Sequence, residues 1–153
     1  MSDPVVPDFT LPATGGVDFK LSALRDKLLV IYFYPKDNTP GCTAESQQFR
    51  DLYPDFKKAH CEVVGISRDS IKSHENFKAR FSLPFALLSD AEETVCAQFG
   101  VIKQKVMYGK PVRGIERSTF VLNRHGQQLR EWRAIKADGH AQEVLQFIQS
   151  PNS

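Results

Sequence analysis

The chain has 153 residues, 41% of them hydrophobic and 25% charged, a composition that excludes disordered, collagen-like and coiled-coil classes and predicts one domain spanning residues 1–153. Its 20 basic and 18 acidic residues leave a net charge of +2, short of the basic excess of a dedicated nucleic-acid binder. The 3 cysteines are too few, and odd in number, for a disulfide-stapled secreted scaffold.

Met1-Ser2-Asp3-Pro4 offers no basic leader, and no long apolar segment follows, so a secretory signal is not expected. Residues 9–11 and 17–21 flank a Gly-Gly turn and predict an N-terminal hairpin. Ser22 is placed to cap a short helical turn over 23–26. Residues 28–34, LLVIYFY, form a continuous β-rich apolar run stopped by Pro35, as expected of a central strand buried on both faces. At 7 residues it is far short of the ~20 needed to span a bilayer. Absence of leader and span makes the cytoplasm the expected location, where thiols stay reduced.

A loop over 35–41 leads to a helix over 43–58, with Ala44, Phe49, Leu52, Tyr53 and Phe56 at helical spacing. Pro54 should kink or break it. Further expected elements are a buried strand over 61–67, a helix over 70–81 and a short strand over 85–88. A helix over 91–99 follows, capped by Asp90 and ended by Gly100. Residues 101–114 look irregular. A hairpin over 118–122 and 128–133 and a helix from 138/139 to about 149 complete the chain. Alternation of strands and helices predicts an α/β layered fold. The helix over 43–58 is the natural crossover between two parallel strands. Ligand chemistry in such sheets sits at the carboxyl ends of the strands, which selects the loop 35–42.

That loop places Cys42 where a helix begins. First-turn N–H groups lack internal partners and carry partial positive charge, so a thiolate is favoured there. Thr39 can turn its hydroxyl toward the sulfur or a substrate oxygen. Pro40 and Gly41 allow a tight turn and close backbone approach, and Pro35 can shield the sulfur. On position alone, an inert buried cysteine is an equal reading.

Pro35-x-x-x-Thr39-x-x-Cys42 resembles the peroxiredoxin active-site motif, and FYPKDNTPGCTAE looks like its Q-type, bacterioferritin comigratory subfamily. PDFTLP, VVGIS, LPFALLSD, FGV and RSTFVL match in order and spacing, over nearly the whole chain. The resemblance implies a thioredoxin-like fold, with a central mixed sheet flanked by helices and an N-terminal β-hairpin. It also implies a thiol peroxidase in which Cys42 is peroxidatic, Thr39 hydrogen-bonds the peroxide, Arg117 is the active-site arginine and Pro35 completes the pocket. A guanidinium suits the task because it is a rigid, permanently charged donor. No metal or organic cofactor is required, and the Q-type group suggests a monomer.

The chain departs from many Q-type members in its second cysteine. Five residues after Cys42 stands Gln47, and about thirty-six after stands Lys78. Cys61 and Cys96 both carry core patterns. A one-cysteine cycle is therefore expected, with the sulfenic acid resolved by thioredoxin, glutaredoxin or glutathione. The alternatives are a two-cysteine cycle through Cys96 or a non-catalytic holdase or interaction module on the same fold. A thioredoxin-type dithiol enzyme would need Cys where Thr39 stands. Lys103, Lys105, Lys110, Arg113 and Arg117 make a basic run that could attract anions or simply be solvated. The histidines His60, His74, His125 and His140 show no zinc spacing with the cysteines. Neither a nucleic acid nor a membrane is expected as a partner.

Overall fold

A computed structural model describes residues 5–24 and 26–150. The leader reading at residues 1–4 and Arg25 in the expected turn over 23–26 lie outside the described residues. Nine strands and four α-helices are described, in the order β1 (Thr10–Ala13), β2 (Val17–Lys20), β3 (Leu28–Phe33), α1 (Pro40–Lys58), β4 (Cys61–Ser67), α2 (Ile71–Phe81), β5 (Leu87–Ser89), α3 (Thr94–Gln98), β6 (Ile102–Met107), β7 (Lys110–Ile115), β8 (Ser118–Leu122), β9 (Gln128–Trp132) and α4 (His140–Gln149). A 3-10 turn, Leu21–Leu24, links β2 to β3. No described helix is long and apolar enough to cross a membrane.

Seven strands form one mixed sheet in the order β2-β1-β5-β4-β3-β8-β9. β3 lies parallel to β4 and antiparallel to β8, and β4 is parallel to β5. The β3-α1-β4 crossover expected from the sequence is present. Alternation along β3 divides the core. Leu29, Ile31 and Phe33 face one layer with the N-terminal strands and α3. Val30, Tyr32 and Tyr34 face the other with α1, α2 and α4. On that second side the Tyr32 ring stacks on Phe49 at 4.7 Å. It crosses β4 at Gly65, where a Cβ would stand 2.8 Å from the ring, so only glycine fits.

Three expectations change. Residues 101–114 are not irregular: β6 and β7 pair antiparallel from Ile102↔Ile115 to Met107↔Lys110. Gly109 in their turn has φ +76°, and a sequence rich in Lys with little apolar alternation hid the strands. The helix over 91–99 shrinks to α3, because Glu93 takes a left-handed conformation (φ 64°) before it. The cap residue is therefore Glu93 and not Asp90, although Asp90 Oδ2 accepts from the Cys96 N–H at 2.7 Å. Finally, α1 continues through Pro54 to Lys58. Its start also moves forward: Pro40 occupies the first turn, where a missing N–H costs nothing, and Cys42 lies inside the helix.

Candidate active site

β3 ends at Phe33, and the next seven residues carry the chain to Pro40 at the start of α1. Thr39 is the N-cap residue, in extended conformation, and its carbonyl accepts from Thr43 N–H at 2.9 Å. Its hydroxyl does not cap the helix but donates to Lys36 O at 2.8 Å. Committed in that way, the Thr39 oxygen keeps only its capacity to accept. Cys42 is the third residue of α1 and fully buried. Pro35 directly follows the buried Tyr34 and is exposed.

Arg117 stands between β7 and β8 in sequence, and antiparallel pairing of β8 with β3 brings it to the same end of the sheet. Its Nη2 donates to Cys42 Sγ at 3.4 Å and its Nη1 to Glu45 Oε1 at 2.7 Å. Burial opposes the charge on Arg117. Glu45 and Cys42 outweigh it and hold the guanidinium above its ordinary value. Glu45 is fully buried, and burial pushes its carboxyl up to about 7 even though Arg117 pulls the other way. The two partners therefore move differently: mutual attraction is present on both, but Glu45 bears the larger desolvation. Among the described residues its second oxygen, Oε2, finds no hydrogen-bond partner. Gly41 lets the guanidinium lie against the helix, since a Cβ there would be 3.0 Å from Arg117 Nη2.

The loop is held from behind by polar groups. Asp37 is buried, and its Oδ1 accepts from Tyr34 Oη–H at 2.6 Å. Its Oδ2 accepts from Ser73 Oγ–H at 2.8 Å and lies 2.7 Å from His74 Nδ1. The Asp37 N–H donates to Asp69 Oδ2 at 2.9 Å. Asp37, Asp69 and His74 bring a ligand atom each within 4.8 Å of one another, but these atoms are engaged by hydrogen bonds within the protein.

The two other thiols lie elsewhere. Cys61 opens β4 opposite Leu28, at the amino end of β3, so about 17 Å of strand separates it from the carboxyl end that leads to Cys42. Burial, then the Glu62 charge, push its thiol up to about 12. Cys96 belongs to the core layer on the opposite side of the sheet from Cys42. Burial first, then Asp90, push its thiol well above the ordinary range. All three cysteines are free.

Pro35, Thr39, Cys42 and Arg117 thus lie at one end of the sheet, with Arg117 in direct contact with the sulfur. Sequence reasoning passed over Glu45, although its i+3 spacing from Cys42 puts both on one face of a helix. It also passed over Asp37 and gave His74 no role in the site. In the basic run, Arg113 pairs with Glu93, as does Arg68. Lys103 and Lys110 are exposed, and the Lys105 side chain lies outside the described residues.

The AhpC/TSA family model matches residues 3–128. Peroxiredoxin Bcp of Xanthomonas campestris pv. campestris is 50% identical over 143 residues, covering 94% of this chain and 89% of its own. Peroxiredoxin Bcp of Bacillus subtilis is 43% identical over 143 residues, covering 94% and 91%. A solved structure of the Xanthomonas campestris bacterioferritin comigratory protein, concerned with its alkyl peroxide reduction activity, aligns with TM-score 0.89 at 50% identity, over 92% of this chain and 90% of that one. A cysteine-to-serine variant of Xylella fastidiosa PrxQ aligns with TM-score 0.94 at 39% identity, over 100% and 98%. The mixed sheet with its N-terminal strand pair is accordingly the thioredoxin-like architecture that the sequence resemblance implied.

Proposed function

This chain belongs to the AhpC/TSA family and is a thiol-dependent peroxidase of its Bcp/Q peroxiredoxins; we propose that Cys42 is its peroxidatic cysteine and that an external thiol resolves it. The carrying observation is the Arg117 Nη2 contact with Cys42 Sγ at 3.4 Å. In the proposed step the Cys42 thiolate attacks the near oxygen of ROOH. The S–O bond forms as the O–O bond breaks, RO⁻ leaves and takes up a proton, and Cys42 becomes a sulfenic acid. Negative charge flows from sulfur to the departing oxygen. Arg117 already faces the sulfur and follows the charge through the step. The Thr39 oxygen, its own proton given to Lys36 O, accepts the peroxide O–H and orients it. The Cys42 N–H, in the first turn of α1, adds a donor. Pro35 closes the pocket beside the loop. The chemistry is complete with side chains and backbone alone.

The one-cysteine cycle rests on separation. A disulfide needs Cα atoms within about 7 Å. Cys96 is across the sheet, Cys61 is at the far end of the strands, and both thiols are pushed up. At the thirty-sixth position after Cys42, Lys78 donates from Nζ to Leu83 O and Phe85 O, fastening the end of α2. The sulfenic acid is then attacked by an external thiol, releasing water and leaving a mixed disulfide, and a second thiol restores Cys42. Thioredoxin, glutaredoxin or glutathione would serve as that thiol, hydrogen peroxide and organic hydroperoxides as substrates, and a monomeric single domain in the cytoplasm as the working form.

One equivalent of hydrogen peroxide followed by non-reducing mass spectrometry tests this reading. Sulfenic acid at Cys42 with no internal bridge is expected. A Cys42–Cys96 or Cys42–Cys61 disulfide overturns the one-cysteine cycle. Steady-state assays with the three reductants in parallel then name the physiological class.

A further inference from the structure

The hydrogen bonds behind the loop have a direction. His74 is fully buried on α2, and its Nε2 lies 2.9 Å from Leu88 O, a carbonyl that can only accept. Nε2 therefore carries a hydrogen, and His74 Nδ1 lies 2.7 Å from Asp37 Oδ2. Asp37 also receives hydroxyl hydrogens from Tyr34 and Ser73. A residue of the catalytic loop is thus tied by three side chains to β3's end and α2, and His74 carries the tie on to β5. Asp69 holds the same loop through the Asp37 N–H, and Ser67 Oγ–H donates to Asp69 Oδ2 at 2.6 Å.

Asp37 adjoins Lys36, whose carbonyl fixes the Thr39 hydroxyl. It is two residues from Thr39 and five from Cys42. Moving Asp37 therefore moves the acceptor that turns Thr39 toward the substrate. Cys42 is fully buried, so a thiol too bulky for the pocket reaches it only when the chain between the loop and the first turns of α1 opens. With Asp37 anchored, the freed segment is short.

We propose that Asp37 and His74 are positioning residues: a buried latch that holds Thr39 in register for the peroxide step and restrains the opening through which the sulfenic acid is resolved. The proposal rests on Cys42 being peroxidatic. While the latch is closed, the sulfenate stays open to a second peroxide. That reaction forms another S–O bond, breaks another O–O bond, releases a second ROH and leaves sulfinic acid. Once the latch parts, a thiol takes the oxygen as water and leaves a disulfide. The latch therefore sets the partition between sulfinic acid and disulfide.

The experiment uses intact protein with hydrogen peroxide and reduced glutathione at a fixed ratio. Rapid quenching follows Cys42 oxidation, and mass spectrometry reads its sulfinic and glutathionylated shares. In Asp37→Asn, one of the acceptor contacts becomes a donor, and Cys42 oxidation should slow about tenfold or more. Ser73→Ala removes one part-buried donor at little cost to folding, and should lower the sulfinic share about tenfold. Loss of thermal stability alone would not move that share. A sulfinic share unchanged or raised in Ser73→Ala overturns the latch, whether or not Asp37→Asn folds. Wild-type protein that does not oxidise at Cys42 overturns the reading beneath it, and is recognised before any variant is compared.

Discussion

Cys42 and Cys96 occupy the same kind of place. Each is the third residue of a helix, each is fully buried, and each is a free thiol. Their neighbours differ in charge. Cys42 faces the Arg117 guanidinium. Cys96 faces Asp90, whose carboxylate occupies the backbone N–H of Cys96 itself, and its thiol is driven up by burial and that charge together. Helix length widens the gap, since α1 has 19 residues and α3 only 5. Burial and a helix start do not make a reactive thiol; the sign of the charge that burial isolates does.

Exchanging each sulfur in turn carries the largest expected effect. Cys42→Ser should abolish peroxidase turnover, whereas Cys96→Ser and Cys61→Ser should retain it in a coupled assay with a saturating thiol. Loss of turnover in Cys96→Ser at wild-type folded content would mean that the two thiols do not differ as argued. The next step removes the charge that separates them. Arg117→Ala should slow Cys42 oxidation by about 10²–10³-fold, the usual effect of deleting one preorganised donor. Arg117→Lys should restore only part of this, because an ammonium cannot hold the sulfur and Glu45 together in one plane. A stopped-flow rate within a few-fold of wild type in Arg117→Ala would leave the helix start as sufficient.

Glu45, the acid paired with Arg117 beside Cys42, makes stability depend on pH. Its value rises from 4.5 in the reference state to about 7 in the folded chain, chiefly by burial. Between those values the folded chain binds the proton more tightly than the unfolded chain. Its contribution to stability therefore falls as pH rises from about 4.5 to 7, and is level above that. The full swing is on the order of 3 kcal/mol. Glu45→Gln lacks that titration. Chemical denaturation at pH 5 and pH 8 should show the variant gaining on the wild type by a sizeable part of that amount. Parallel pH profiles for the two proteins would mean that the acid under Arg117 does not titrate there.

Much of this contrast was legible in the sequence. The run LLVIYFY demanded a strand buried on both faces, and Pro-Gly-Cys after it demanded a tight entry into a helix. These two facts locate Cys42. What placed Arg117 against it is the antiparallel register of β8 on β3, a contact across 75 residues that no local pattern contains. Glu45 was within reach of helical periodicity alone. Asp37 and His74 were not, because their meeting depends on the path of α2 over the sheet. The strands β6 and β7 were missed because their pairing is carried by backbone bonds in a sequence that alternates poorly. The shortened α3 was missed because Glu93 adopts a positive φ that its residue type does not announce.

Gly41 offers the mildest perturbation and separates activity from stability. Its Cβ would stand 3.0 Å from Arg117 Nη2 and 3.7 Å from Cζ, so the end of a flexible side chain must give by a few tenths of an ångström. The backbone at Gly41 is helical, and alanine there gains about 0.5–1 kcal/mol over glycine in helix propensity. Gly41→Ala should therefore leave the melting temperature unchanged or slightly raised. It should slow Cys42 oxidation several-fold, because the guanidinium that contacts the sulfur has moved while the helix start has not. Unchanged oxidation kinetics with raised stability would show that Arg117 tolerates this displacement, and that long-range charge matters more at Cys42 than contact geometry.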